Sequence, residues 1–146
     1  MLDNQYETKI SANYQNFEFI SEGPNGLITK VVHYSETNLK GYYNLGFGDK
    51  DTLTGFVSDI SVSNNGDMNK VLSTVATTLF IFIRKYPEAT VIATGSTDVR
   101  TRLYRIGISN NLEKIEKEFV IMGLKDGKWE IFQKNIDYGA FLAYKK

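Results

Sequence analysis

Hydrophobic and polar positions change rhythm along this chain, and the changes mark its elements. Residues 17–22 and 27–34 are rich in β-branched and aromatic side chains, and Gly23-Pro24-Asn25-Gly26 divides them, a pattern that predicts a β-hairpin. Two further strands are predicted over residues 42–48 and 54–62, separated by the polar turn Asp49-Lys50-Asp51. From Met68 the rhythm becomes helical: Met68, Val71, Leu72, Val75, Leu79, Phe82, Ile83 and Tyr86 recur at intervals of three and four. That face belongs to a helix of about five turns, roughly 28 Å long, capped by Asn65 or Asp67 and stopped by Pro87.

Residues 90–94 form a short apolar strand. Gly95-Ser96-Thr97-Asp98 then supplies a turn and capping oxygens for a second helix, whose apolar face is Val99, Leu103 and Ile106 and whose end is Gly107. Residues 110–117 add a turn or two of helix, and residues 119–124 and 129–132 flank Lys125-Asp126-Gly127-Lys128, a hairpin signal. Tyr138, Phe141 and Leu142 stand at helical spacing in a tail expected to dock onto the body. The order β-β-β-β-α-β-α-β-β predicts an α+β fold, a mixed but mostly antiparallel sheet with two main helices, in one domain spanning residues 1–146.

Parallel strands need a crossover, so the strand ending near Val62 and the one ending near Thr94 are expected to pair through the long helix. Their carboxyl ends would then be neighbours. This brings the loop around Asn64, Asn65, Gly66, Asp67 and Lys70 beside Ser96, Thr97 and Arg100, with two helix N-termini facing one crevice suited to an anion.

Composition narrows the chemistry without naming it. The charged residues balance at 17 basic and 17 acidic, so no overall positive field draws nonspecific nucleic acid. There is no cysteine and a single histidine, His33, which removes thiolate nucleophiles, Cys-based zinc sites and multi-histidine metal centres. His33 itself reads as a packed or surface side chain in a strand. The most apolar run, Leu79 to Ile83, is far shorter than the ~20 residues that span a bilayer, and the N-terminus has no secretory pattern, so a cytoplasmic location away from membranes is expected. Asp49-Lys50-Asp51 fails as a calcium loop because Leu53 and Ile60 fall where ligand oxygens belong. Gly41, Gly46 and Gly48 precede no helix, which argues against a dinucleotide or phosphate loop.

The segment from Thr94 to Gly107 holds three of the four arginines, Arg100, Arg102 and Arg105, together with Tyr104. Arg102 and Arg105 share a helix face with Asp98, an arrangement that an exposed ion-pair ladder explains. Arg100 and Tyr104 share another stripe, closer to the expected crevice, where an arginine is suited to an anion and a tyrosine to proton transfer. Ser96, Thr97 and Asp98 are first of all helix caps, as Asn64, Asn65 and Asp67 are turn and cap residues.

From residue 54 to residue 132 the order of elements resembles the later two-thirds of a GNAT-type N-acetyltransferase. In that family the second helix carries a Leu-Tyr pair whose tyrosine protonates the departing coenzyme A thiolate, and Leu103-Tyr104 stands at the matching place. Tyr104 is the one catalytic position the resemblance assigns, and acetyl-coenzyme A is the cofactor it implies. The chain departs from the family in the loop before the first helix, where Asn64-Asn65-Gly66-Asp67 replaces a basic, glycine-spaced pattern. Ser21-Glu22-Gly23-Pro24, the run from Tyr43 to Asp49, Ser63-Asn64-Asn65-Gly66-Asp67, and Gly95-Ser96-Thr97 with Arg100-Thr101-Arg102-Leu103-Tyr104-Arg105 resemble a family of small Bacteroidota proteins of unknown function, which implies an intracellular bacterial protein.

These readings favour a non-enzymatic module that binds a small anionic ligand or a protein partner, needs no cofactor, and uses Asn64, Asn65, Lys70, Ser96, Thr97, Arg100, Arg102 and Arg105. The alternatives are an acyl-coenzyme A-dependent transferase acting through Tyr104, and a member of a two-gene regulatory or defence pair that presents an aromatic surface around Tyr42, Tyr43 and Phe47.

Overall fold

A computed structural model describes residues 4–50, 57–58, 65–95 and 97–146 of the chain. Its first strands are β1 (Lys9–Ile10), β2 (Asn16–Gly23), β3 (Gly26–Glu36), β4 (Tyr42–Lys50) and β5 (Val57–Ser58). They are followed by helix α1 (Met68–Lys85), strand β6 (Thr90–Ala93) and helix α2 (Asp98–Glu118). Strands β7 (Phe119–Lys125), β8 (Lys128–Ile131) and β9 (Ala140–Lys145) complete one sheet, in the order β1-β2-β3-β4-β6-β9-β7-β8, with β5 on β4. Among the described pairs only β4 and β6 run parallel, so the fold is the expected α+β sheet with two helices.

Alternation decides which strand residues meet the helices. Phe17 and Phe19 on β2, Val32 and Tyr34 on β3, Phe47 on β4, Val91 and Ala93 on β6, Ile121 on β7 and Phe141 and Ala143 on β9 form the buried face. The apolar stripe of α1 packs onto them through Val71, Val75, Leu79, Phe82 and Ile83. Phe82 stacks on Tyr34 with ring centroids 4.2 Å apart, and Phe80 meets Phe119 edge-on at 4.9 Å. The flank of α1 away from this stripe is buried too, because the N-terminal segment lies along it. Tyr6 donates its backbone N–H to Thr74 Oγ1 at 2.9 Å, and Thr77 donates to Gln5.

Several expectations change in the structure. Gly107 does not end α2, which runs unbroken to Glu118. A Cβ at Gly107 would lie 3.3 Å from Leu72 Cβ, so the glycine lets the two helices approach closely, and this contact compensates its roughly 1 kcal/mol helix penalty. The tail is a strand rather than a helical stretch: β9 inserts between β6 and β7, pairing Ile92 with Leu142 and Ile121 with Ala143. Spacing alone could not separate the two outcomes, because the hydrogen bonds that stabilise β9 come from strands far away in sequence. Asp49 and Lys50 belong to β4 and not to a turn, while Asp51 lies outside the described residues.

The parallel partner of β6 also differs from the expected one. Tyr42, Tyr43, Asn44 and Leu45 of β4 pair with Thr90, Val91, Ile92 and Ala93. Of the strand expected over residues 54–62, Val57–Ser58 is described; it pairs antiparallel with Asp49 and Lys50 at the far end of β4. The crossover through α1 thus links β6 to a longer strand whose carboxyl half continues past it.

Candidate functional site at the fork of the parallel strands

The site originates in that difference of length. β4 and β6 stay paired as far as Leu45 and Ala93. Beyond them β4 continues toward β5, whereas β6 turns at Thr94-Gly95 into α2. The turn can be this abrupt because a Cβ at Gly95 would lie 2.3 Å from the Thr101 backbone nitrogen. Gly95 donates its N–H to Thr101 Oγ1 at 3.2 Å, and Thr97 caps α2 by accepting the Arg100 N–H at 3.2 Å. Where the strands part, a cleft of about 370 Å³ opens.

Residues of both sheet faces line it. Phe47, Arg100 and Tyr104 approach from the helix side; His33, Ser35, Asn44 and Gly46 belong to the opposite face, with Leu45, Thr94 and Gly95 at the fork itself. Arg100 and Tyr104 reach the cleft because they begin the buried stripe of α2, which continues through Gly107 to Ile115. Arg100 is only 3% exposed, and its guanidinium carbon lies 5.2 Å from the centroid of the Phe47 ring. An arginine stays charged even when buried, and an aromatic face is one of the few apolar surfaces that attracts it. Tyr104 is 6% exposed, and its hydroxyl donates to the Leu45 carbonyl over a long 3.5 Å.

The remaining predicted residues divide between two other places, and Asn64 and Ser96 lie outside the described residues. Asn65 is a strut. It is 1% exposed, its Oδ1 accepts the Asn25 N–H at 2.8 Å, and its Nδ2 donates to the Gly26 carbonyl at 2.9 Å and to Ser21 Oγ at 3.3 Å. Neither Asn65 nor Asp67 caps α1 through its side chain, contrary to expectation. The Asp67 carboxylate turns to the hydroxyls of Tyr6 at 2.5 Å and Ser21 at 2.6 Å, and Lys70 lies over the Tyr6 ring at 4.2 Å. Thr97, Arg102 and Arg105 line a separate groove with Asp98, Thr101 and Asp137. There Arg105 pairs with Asp137, and no ion pair joins Asp98 to Arg102 among the described residues. The two helix N-termini therefore do not share one crevice. The expected aromatic surface is also absent in its proposed form: Phe47 is buried at 1% exposure, and Tyr43 packs against Phe82 and Tyr86.

A family model matches residues 2–146, that of a family of unknown function, DUF6934. The chain belongs to the DUF6934 family. No curated protein and no solved structure matches it. Among the described residues of this DUF6934 chain, no helix is long and apolar enough to cross a membrane.

Sequence reasoning passed over two features of the DUF6934 cleft and its surroundings. His33 lies across from Gly46, where a Cβ would stand 2.3 Å from its Nε2, and its Nδ1 is 3.1 Å from Ser35 Oγ. A glycine inside an aromatic strand is a signal of such close approach, but its partner becomes visible only with the strand register. The second feature is Lys30, with no exposed surface, which pairs with Asp49 at 2.5 Å and lies 6.0 Å from the Phe47 ring. Two buried cations thus border one aromatic ring beside the fork. A lysine among the apolar positions of a strand was the sequence signal available; that Asp49 lies directly across from it is visible only with the register.

Proposed function

We propose that this protein is a non-enzymatic binding module whose slot at the fork of β4 and β6 takes a small anionic ligand. Arg100 carries the reading: a buried guanidinium lines a cleft that has room for a ligand, at the carboxyl end of β6 where it parts from β4. Open sheets bind ligands at such points because the strands diverge there and helix N-termini turn toward the opening. Calorimetric titration with phosphate, acetate and nucleoside phosphates identifies the anion. Arg100→Ala is then expected to weaken it about ten- to a hundredfold, the worth of a hydrogen bond to a charged group. Unchanged affinity would remove the slot as the site.

A second reading, an acyl-coenzyme A-dependent transferase, is favoured by Tyr104. Its hydroxyl lies in the same slot beside the Leu45 carbonyl, and it belongs to the Leu-Tyr pair that resembles the transferase tyrosine. In that mechanism Tyr104 gives its proton to the leaving thiolate. Tyr104→Phe should then slow turnover sharply at unchanged coenzyme A affinity, and a protein with no coenzyme A affinity rejects the reading.

A further inference from the structure

The helices cover one face of the sheet, the face of Phe47, Val91, Ile121 and Ala143. The segment between β8 and β9 packs on that face too, where Tyr138 lies so close over Gly123 that no Cβ would fit. On the opposite face, strand register sets Ile92, Leu142, Met122 and Ile131 in one row across β6, β9, β7 and β8. Tyr144 and Val120 flank the row on one side, Leu124 and Trp129 on the other. Ile131 is 62% exposed, Trp129 39% and Tyr144 37%. None of these positions holds a charged side chain. The other half of the same face is built differently: Lys9, Glu18, His33 and Lys50 stand on it, and Lys50 pairs with Glu18 at 3.0 Å. The strands show the same division in sequence. Asn16 to Phe19 of β2 alternate polar and apolar, whereas β7 from Phe119 to Leu124 and β9 from Ala140 to Ala143 hold no polar side chain at either parity. Strands read in that second way when both of their faces are buried.

We infer that β6, β9, β7 and β8 pack face to face on the same strands of a second copy of this chain, the two sheets about 10 Å apart. The occupant follows from charge and size. A two-fold axis lays the patch on its own copy, and two uncharged patches meet without burying an unpaired charge. A partner with a charged surface would lose its water against groups that return few hydrogen bonds. Strand spacing of about 4.8 Å and a rise of about 3.4 Å per residue make the patch, from β6 to β8 and from Val120 to Leu124, roughly 300 Å² in plan. That is the size of an apolar interface centre. Tyr42 and Asn44 beside Thr90 and Ile92, with Ser35 beyond, supply a polar rim toward the ~800 Å² that each partner buries in a standard complex. The dimer needs no ligand in the slot.

The test is sedimentation of the full chain from about 1 μM to about 1 mM, followed in parallel by the emission of Trp129, the single tryptophan. A patch of this size predicts a dimer half formed at roughly 10–100 μM, with Trp129 emission moving to shorter wavelength as it forms. Ile131→Glu should weaken the dimer at least about a hundredfold, roughly tenfold for each of the two copies that carry it. It should leave the melt of the dilute monomer within about 2 °C of wild type, because the position is exposed. Met122→Gln, one strand in from the β8 edge, should weaken the dimer at least about tenfold. A dimer that forms with Trp129 emission unchanged, or that survives both substitutions, uses another surface and overturns the inference. One that is lost with Ile131→Glu but kept with Met122→Gln joins β8 edge to edge and overturns it as well. So does a chain that stays monomeric throughout; a Trp129 shift of that monomer on phosphatidylcholine vesicles would give the face to lipid. The wild-type series and Met122→Gln decide the matter should Ile131→Glu not fold.

Discussion

The two long helices start from stretches of similar composition, glycine with asparagine, serine, threonine and aspartate, yet the starts do opposite things. At α1 the polar groups turn inward: Asn65 binds the β2–β3 hairpin, and Asp67 Oδ2 accepts from the hydroxyls of Tyr6 and Ser21, while its Oδ1 is buried with no hydrogen bond among the described residues. At α2 a single threonine caps the helix, and the residue that follows the cap by three, Arg100, lies in an open cleft. The lesson concerns supply and demand of hydrogen bonds. A buried polar side chain that ties neighbouring segments together, as Asn65 does, braces the fold, whereas a buried cation that lines open volume, as Arg100 does, is where we propose that a ligand sits.

The comparison predicts different consequences for changes at the two starts. Asn65→Ala strips partners from the Asn25 N–H and the Gly26 carbonyl, both of which face a buried side chain. A loss of about 2–3 kcal/mol is expected, or roughly 5–10 °C in a thermal melt, with ligand affinity in the slot unchanged. A tenfold drop in affinity without loss of stability would instead reassign the start of α1 to the site.

Gly46→Ala should act on the slot. The added methyl forces the His33 ring out of its place, with an expected cost of about 1–2 kcal/mol and weaker ligand binding. A second change, His33→Ala, should recover most of the stability, so a double-mutant cycle in chemical denaturation should give clear coupling. Additive effects would mean that the close approach does not matter.

Tyr6→Phe gives the smallest effect, about 1 kcal/mol at neutral pH, because Asp67 keeps the Ser21 hydroxyl. Its signature is at high pH. Burial, and then the hydrogen bond to Asp67, raises the Tyr6 hydroxyl above its usual value of 10.0. The folded state holds this proton more tightly than the unfolded chain, so its contribution is full below pH 10 and is lost as pH rises through the folded value. Tyr34, buried against Thr78 and pushed up by that burial, adds to the same alkaline decline. Relative to wild type, Tyr6→Phe should flatten the decline above pH 10; parallel curves would show that Tyr6 keeps no proton advantage on folding.

The hydrophobic rhythm made much of the fold legible. The stripe from Met68 to Tyr86 became α1, the break at Gly23-Pro24-Asn25-Gly26 became the β2–β3 turn, and Asp126-Gly127 joined β7 to β8. Arg100 and Tyr104 were recognisable as a stripe distinct from Arg102 and Arg105, because spacing on one helix is a local property. The grouping of Asn65 and Lys70 with them was not correct, since it depended on which strand would lie beside β6. The close approach of His33 to Gly46 was not legible for the same reason.

Local composition and periodicity, then, determined the order of most elements and the inward face of α1, because these follow from the chain's own geometry over a few residues; the expected apolar face of α2 was not correct, since Val99 is 72% exposed and Arg100 and Tyr104 are buried. Strand neighbours were decided by the tertiary structure: β4 beside β6, and β9 between β6 and β7. Backbone hydrogen bonds between strands carry no sequence label, so burial and loop closure over the whole molecule select the pairing. The cleft is a product of that selection. It exists because a nine-residue β4 runs past a four-residue β6, a mismatch that acquires meaning only when the two lie side by side.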